Sequence, residues 1–172
     1  CERRGADRVV AVDRYAWDRF GMEEFNSTRQ RLGSKVEHLR ADAHDLDVAR
    51  IGQFDLVLLL GVFYHLRNPL AALDRISQIT RQLLICETHV LLPFMHERYP
   101  LVPFFPGDEN AKETRYEMCA MPTITALTQM LQSVGFNEVE TVYSPSFRHL
   151  KKFLALVTNR PRSGRGIVHA RV

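Results

Sequence analysis

The feature of this sequence that most constrains its fold is a series of short strand-like runs separated by segments with helical periodicity. The runs are "RVVAVD", "KVEHL", "FDLVLLLGV" and "RQLLICETHV". Short apolar runs without strict alternation are typical of parallel strands buried on both faces. Helical patterns occupy residues 17–31 and 70–80 between these runs. The alternation predicts βαβ units, an α/β fold and a mainly parallel sheet.

The last third of the chain is less regular. Residues 91–122 form an aromatic and proline-rich insertion of a length typical of lids and binding walls. Next comes "TITALTQMLQSVGF", a predicted helix with Thr123 as N-cap and Gly135 as its C-terminal stop. Residues 137–144 and 151–161 then read as two strands of a hairpin. We expect residues 160–172 to form a loose basic tail.

Composition limits the classes of protein to consider. With 172 residues, 45% of them hydrophobic, the chain predicts one soluble globular domain. No apolar run approaches the roughly 20 residues that span a bilayer. The cysteines Cys1, Cys86 and Cys119 lie far apart without a CxxC pair, which argues against a disulfide framework or a cysteine-rich zinc site. A reducing cytoplasm fits this cysteine usage, and the oligomeric state stays open.

Charge is distributed unevenly along the chain. The net charge is +3, yet no acidic residue follows Glu140, whereas seven cationic residues do. These are Arg148, Lys151, Lys152, Arg160, Arg162, Arg165 and Arg171. Such a segment is either a solvated tail or the phosphate-contacting part of a non-catalytic RNA-binding module.

Polar residues and glycine follow the predicted strands at their carboxyl ends, where ligands bind in open α/β sheets. Asp13 can accept hydrogen bonds from ribose hydroxyls or cap the following helix. Asp42 can bond an exocyclic amine such as that of adenine, or belong to a solvated turn. Gly61 allows close approach of a ligand to the backbone, or simply ends a strand. Beyond it, Tyr64 and His65 are candidates to orient or deprotonate a nucleophile.

Several motifs resemble one family when they are taken together. In order, "RVVAVD", "ADAHDL", "FDLVLLLGVFYHLRNPLAAL", "LLICETHV" and "TITALTQMLQSVGF" resemble the successive motifs of class I S-adenosylmethionine-dependent methyltransferases. Within that superfamily, "GVFYHLRNPLAAL" is similar to the "GVLYH" signature of the tRNA wobble-uridine (carboxy)methyltransferases and related enzymes. The resemblance extends from Gly5 to about Asn159.

The resemblance implies a Rossmann-like sheet whose last strand is antiparallel. It also implies that Asp13 holds the cosubstrate ribose, that Asp42 and the backbone of Ala43 meet the adenine, and that the segment from Gly61 and Val62 to Tyr64 lines the methionine end and the transfer cleft. The family's first strand and its glycine-rich loop are expected before Cys1. The expected division is therefore a methyltransferase domain over 1–159, without its N-terminal portion, and a basic tail over 160–172.

The implied reaction is methyl transfer from S-adenosylmethionine to RNA such as tRNA or to a small molecule. The aromatic residues of the insertion either close over the acceptor or cover a sheet edge; they are Phe94, Tyr99, Phe104, Phe105 and Tyr116. Carboxy-S-adenosylmethionine is the less favoured cosubstrate, because its carboxylate requires a partner such as Tyr64, Arg67 or Lys152 and none of these is diagnostic.

Other functions lack their sequence signatures. There is no "GxGxxG", and no Tyr is followed four residues later by Lys, as a short-chain dehydrogenase would require. P-loop and hydrolase motifs are also absent from the sequence. A metal site from His89 and His96, or from Asp42, His44 and Asp45, matches no strong ligand spacing, and we predict no metal. An inactive fragment remains an alternative to the enzyme.

Overall fold

The computed structural model of this chain describes residues 1–91, 99–104, 120–144 and 163–172. The chain separates into two compact units, Cys1–Leu46 and Asp47–Val172. The predicted strand at 151–161 and the aromatic residues Phe94, Phe105 and Tyr116 lie outside the described residues.

The first unit contains two parallel strands, with Val10 opposite Glu37 and Asp13 opposite Arg40. Its elements are a 3-10 turn at Glu2–Arg4, β1 at Val10–Asp13, α1 at Tyr15–Phe20, α2 at Glu23–Arg31, β2 at Glu37–Arg40 and a 3-10 turn at Ala43–Asp45. Both strands lie within a residue or two of their predicted positions.

The single helix predicted over 17–31 is wrong, because the chain forms α1 and α2 instead. Gly21 separates them with a φ of 78°, a value that residues with a side chain rarely adopt. Its N–H still donates to the carbonyl oxygen of Trp17, at 3.2 Å, and so closes the last turn of α1.

The second unit is built on a sheet with the strand order β3-β4-β6-β5. Its elements are α3 at Val48–Ile51, β3 at Phe54–Leu60, a 3-10 turn at Phe63–His65, α4 at Pro69–Ile79, β4 at Thr80–Leu91, α5 at Ile124–Ser133, β5 at Glu138–Tyr143 and β6 at Ser163–Arg171. Strands β3 and β4 are parallel, whereas β6 runs antiparallel to both β4 and β5. The predicted α/β fold with an antiparallel last strand is confirmed.

Helices α4 and α5 both begin at a residue whose side chain caps the first turn, and only the caps of α5 were predicted from the sequence. The side chain of Asn68 accepts from the N–H of Ala71 at 3.3 Å, and Thr123 accepts from Ala126 at 3.2 Å, so the predicted N-cap is confirmed. Helix α5 ends just before Gly135, whose φ is 106°. Both helices bury apolar side chains, including Leu73 and Leu127.

The loose tail expected at 160–172 is wrong for the residues that form β6. Buried Val168 and Ala170 alternate with more exposed neighbours, which is the period of a strand covered on one face. Gly166 allows this strand to pack closely, because a Cβ there would lie 2.9 Å from Val90. Strand β6 therefore pairs with β5, for which the sequence predicted residues 151–161 as the hairpin partner.

Among the described residues, no helix has the length and hydrophobicity needed to cross a membrane.

Candidate functional site

Asp13 ends β1 and caps the following helix. Its Oδ1 accepts a hydrogen bond from the N–H of Ala16 at 2.9 Å. Within the described residues, no hydrogen bond occupies its other carboxylate oxygen. The capping role is therefore present, and one oxygen remains for a ligand.

Asp42 follows β2 and forms a more crowded network. Its Oδ2 accepts from Arg14 at 2.9 Å, and its Oδ1 accepts from the backbone N–H of His44 at 3.1 Å. The Nδ1 atom of His44 lies 2.6 Å from the same Oδ1. Partial burial raises the pKa of Asp42, but the hydrogen bonds from His44 and the charge of Arg14 outweigh it, so the pKa lies below its ordinary value. The carboxylate is thus charged at neutral pH.

The proposed metal ligands Asp42, His44 and Asp45 serve this network instead. Asp45 lies 3.7 Å from Arg14, which it shares with Asp42. In the part of the chain that the structure describes, no group of three or more His, Cys, Asp or Glu side chains is arranged to hold a metal ion. His96 lies outside the described residues.

Gly61 ends β3 in the second unit, with a φ of 71°. Its N–H donates to the carbonyl oxygen of Glu87 at 2.9 Å. A Cβ at this position would lie 3.7 Å from Arg165, 3.8 Å from Glu87 and 3.9 Å from Tyr64, which is ordinary contact. Without that Cβ, Gly61 leaves room beside these side chains. Val62 follows and is partly exposed.

The turn Phe63–His65 holds the two predicted catalytic side chains. Phe63 is fully buried, so it fixes the turn against the core. The rings of Tyr64 and His65 have centroids 4.1 Å apart. The backbone carbonyl of Tyr64 accepts from the N–H of Ala120 at 3.2 Å, which ties the turn to a second segment.

Two further side chains, His89 and Arg165, contact Tyr64, and Glu87 pairs with Arg165; sequence reasoning did not assign these three to the site. Glu87 and His89 lie on β4, and Arg165 lies on β6 directly opposite His89. The guanidinium carbon of Arg165 lies 5.3 Å from the centroid of the Tyr64 ring. The ring of His89 makes a T-shaped contact with Tyr64 at 4.8 Å. For Glu87 and His89 the available signal was the presence of polar residues in a run predicted as a buried strand, whereas Arg165 gave no signal because its segment was predicted as a tail.

We call this group the strand-end cluster; it consists of Gly61, Tyr64, His65, Glu87, His89 and Arg165. An ion pair organises it, because one Arg165 nitrogen lies 2.9 Å and 3.0 Å from the two carboxylate oxygens of Glu87. Of the predicted residues, the cluster brings together Gly61, Tyr64 and His65. Asp13, Asp42 and Ala43 belong to the first unit.

Two further features of the second unit concern its cysteine and its aromatic insertion. Cys86 is buried beside Glu87, and burial raises the pKa of its thiol to about 12, so it is not a nucleophile at neutral pH. In the insertion, Tyr99 and Phe104 are both exposed, and Phe104 pairs with Ala120 through a backbone bridge. Their closure over an acceptor stays a prediction.

The sequence matches a protein family described as "Methyltransferase domain" over residues 1–141. The chain therefore belongs to this family. This confirms the resemblance to class I S-adenosylmethionine-dependent methyltransferases at the level of the family, and it leaves the nicotinamide-dependent alternative without support.

One relative is the tRNA U34 carboxymethyltransferase of Pseudomonas putida, which is 31% identical over 148 residues, covering 80% of this chain and 41% of that protein. The chain spans about two fifths of the length of the curated relatives it matches.

Solved structures share the fold at lower identity. The N-terminal domain of EvdMO1, solved with SAH bound, has a TM-score of 0.68 and 19% identity, covering 99% of this chain and 67% of that one. The [4+2]-cyclase SpnF has a TM-score of 0.62 and 14% identity, covering 98% of this chain and 67% of that one. Because a cyclase shares it, the fold does not by itself define the reaction.

Proposed function

We propose that this chain is the catalytic part of an S-adenosylmethionine-dependent methyltransferase that acts on tRNA. The observation that carries the proposal is the strand-end cluster, which places Tyr64 and His65 beside Gly61 in a chain that belongs to a methyltransferase family. This is the edge of an α/β sheet at which ligands bind.

The residues that we assign to the cosubstrate offer hydrogen-bond acceptors and space for it. Asp13 has one carboxylate oxygen left to accept from the ribose hydroxyls. The Oδ2 atom of Asp42 can accept a second hydrogen bond beside the one from Arg14, which leaves room for the adenine amine beside Ala43. At the methionine end, the bare backbone of Gly61 and the partly exposed Val62 permit close approach.

Methyl transfer makes modest chemical demands on the protein. S-Adenosylmethionine supplies a methyl group on a sulfonium with an excellent leaving group, so the enzyme chiefly aligns the nucleophile and excludes water. Tyr64 carries a hydroxyl that can hydrogen-bond the nucleophile, and the ring of His65 lies tilted against the Tyr64 ring with centroids 4.1 Å apart. We assign both residues to the acceptor side of the reaction.

The choice of tRNA as acceptor rests on the similarity to the tRNA U34 carboxymethyltransferase of Pseudomonas putida and on the net charge of +3. The choice does not rest on the basic end, since five of its seven cations lie outside the described residues. Its described cations are paired with carboxylates, because Arg165 contacts Glu87 and Arg171 lies 3.9 Å from Glu138.

Transfer of isotope-labelled methyl groups to bulk tRNA tests the proposal in the protein at its full natural length. Nucleoside mass spectrometry then locates the label. Label in a small-molecule extract, with none in tRNA, would assign a small-molecule acceptor. Salt-sensitive tRNA binding without cosubstrate binding would instead indicate a non-catalytic RNA-binding module.

Asp13→Asn is expected to weaken S-adenosylmethionine binding about 10- to 100-fold, because each lost charge-assisted hydrogen bond costs about 1.5–3 kcal/mol. The asparagine retains an oxygen that can cap Ala16, so stability should change little. Calorimetric titration measures the affinity. Asp47→Asn is the matched control, since Asp47 caps α3 through a 2.9 Å bond to Ala49. Equal affinities in both variants would remove Asp13 from the site.

A second candidate is transfer of a carboxymethyl group, as in the name of the Pseudomonas putida relative. Arg165 favours it, because a guanidinium beside Tyr64 is a suitable partner for a carboxylate. However, Glu87 already neutralises Arg165 at 2.9 Å. We therefore propose ordinary methyl transfer. Of the other suggested partners, Lys152 lies outside the described residues.

Competition between the two cosubstrates tests this choice. The wild-type protein should prefer S-adenosylmethionine, because an added carboxylate would compete with Glu87 for Arg165. Glu87→Gln removes that competitor and is expected to shift the preference toward carboxy-S-adenosylmethionine by about tenfold or more. A strong preference of the wild type for the carboxylated form would reverse the choice.

A further inference from the structure

His89 has no role in the proposed reaction, yet it is central to the strand-end cluster. It lies on β4 two residues beyond Glu87 and opposite Arg165. Its ring meets that of Tyr64 at 4.8 Å with an angle of 83° between the planes. This T-shaped arrangement is a favoured geometry for aromatic contacts. His89 therefore restricts how the Tyr64 ring can turn.

The Nδ1 atom of His89 is buried and has no hydrogen-bond partner among the described residues. A neutral imidazole can leave a lone pair at this nitrogen, whereas an imidazolium places a charged N–H there. A buried, unpaired charged donor costs far more free energy than a buried lone pair. The surroundings thus suit only the uncharged ring.

We propose that His89 is a positioning residue for Tyr64: its uncharged ring holds the Tyr64 ring in place, and protonation of His89 releases it. The proposal extends the role given to Tyr64 above and rests on it. The acceptor would then be aligned well at neutral or alkaline pH and poorly in acid.

The charged and titratable groups around His89 act in the direction that this requires. Burial lowers the pKa of His89, and the nearby charges of Arg165 and His65 lower it further, whereas Glu87 raises it. The net pKa lies below the ordinary value, so His89 is neutral at pH 7. Among the described residues, the hydroxyl-bearing ring of Tyr64 also lies against His89.

The sign of the pH effect on stability follows from this shift. An unfolded histidine takes up its proton near pH 6.5, whereas folded His89 resists protonation to a lower pH. The contribution of His89 to stability is complete above about pH 6.5 and is lost as the pH falls through its lowered folded-state pKa.

His89→Phe and His89→Ala separate ring packing from titration. Phenylalanine keeps a ring against Tyr64 that cannot be protonated, and alanine removes the contact. Between pH 7 and pH 5, His89→Phe should lose less stability than the wild type in denaturant unfolding. His169→Phe, elsewhere on β6, is the control and should lose stability as the wild type does.

Nuclear magnetic resonance of the Tyr64 ring tests the contact without any catalysis. In the wild type, one step in the Tyr64 signals should follow the titration of the His89 ring. That step should vanish in His89→Phe and persist in His65→Gln, which removes the other imidazole beside Tyr64. Tyr64 signals that ignore His89 would overturn the proposal, even if the protein transferred no methyl group.

The kinetic test concerns kcat. His89→Ala should lower kcat about tenfold or more at all pH values with little change in cosubstrate affinity, because Tyr64 loses its alignment. His89→Phe should retain kcat at pH 8 and decline less in acid. An active wild type whose kcat and pH profile survive His89→Ala would refute the positioning role; an inactive wild type would refute the proposed function instead.

Discussion

Phe63→Ala is expected to lower the free energy of unfolding by about 3–5 kcal/mol, since it removes a large side chain from a closed core. Phe63 is 0% exposed and lies between Val62 and Tyr64. Its loss leaves a cavity directly below the turn that holds Tyr64 and His65. Urea denaturation measures the change, with Leu70→Ala as the control.

Leu70 is 46% exposed in the first turn of α4, so its replacement should cost less than about 1 kcal/mol. If both variants lost equally little stability, Phe63 would not be the residue that fixes the turn. If Phe63→Ala stayed folded, the contact between Tyr64 and His89 should also weaken.

Local signals located β3 and α5 of the second unit well, because each depends on a few neighbouring residues. The apolar run of β3 correctly predicted a strand, but its burial on both faces is wrong, because Leu56, Leu58 and Leu60 are exposed among the described residues. Thr123 and Gly135 mark the limits of α5. The break at Gly21 was harder to predict, because a glycine within a helical pattern is often tolerated.

Strand β6 was missed because long-range contacts decide it. The segment "SGRGIVHAR" contains two glycines and several cations, which is unfavourable for a strand considered alone. It becomes one because β4 and β5 both pair with it and Gly166 permits close packing against Val90. In β6, contacts with distant strands therefore outweigh the low intrinsic strand preference of the segment.

The same error concealed part of the candidate site. Once β6 was assigned to a tail, Arg165 could not be placed beside Tyr64, and Glu87 had no evident partner. Tyr64 and His65 were visible because they follow Gly61 directly in sequence. Glu87, His89 and Arg165 meet them only through the register of β4 and β6, which no local pattern specifies.

Tyr64→Phe should have the largest effect on catalysis, a fall in kcat of about 10²–10⁴-fold if its hydroxyl orients or deprotonates the nucleophile. The phenylalanine keeps the ring contacts with His65, His89 and Arg165, so the loss would belong to the hydroxyl. His65→Gln should act in the same direction. Both variants should bind S-adenosylmethionine nearly as the wild type does, because their contacts are to the acceptor.

Single-turnover kinetics at saturating cosubstrate separates the methyl-transfer step from binding and product release. Tyr143→Phe is the matched control, since Tyr143 is 53% exposed on β5 and outside the cluster, and it should retain the wild-type rate. The result that would contradict this assignment is an effect of Tyr64→Phe on cosubstrate binding without an effect on the rate. If Tyr64→Phe weakened cosubstrate binding while the saturated rate stayed unchanged, Tyr64 would belong to the cosubstrate side of the reaction. The nucleophile would then have to be aligned by other residues.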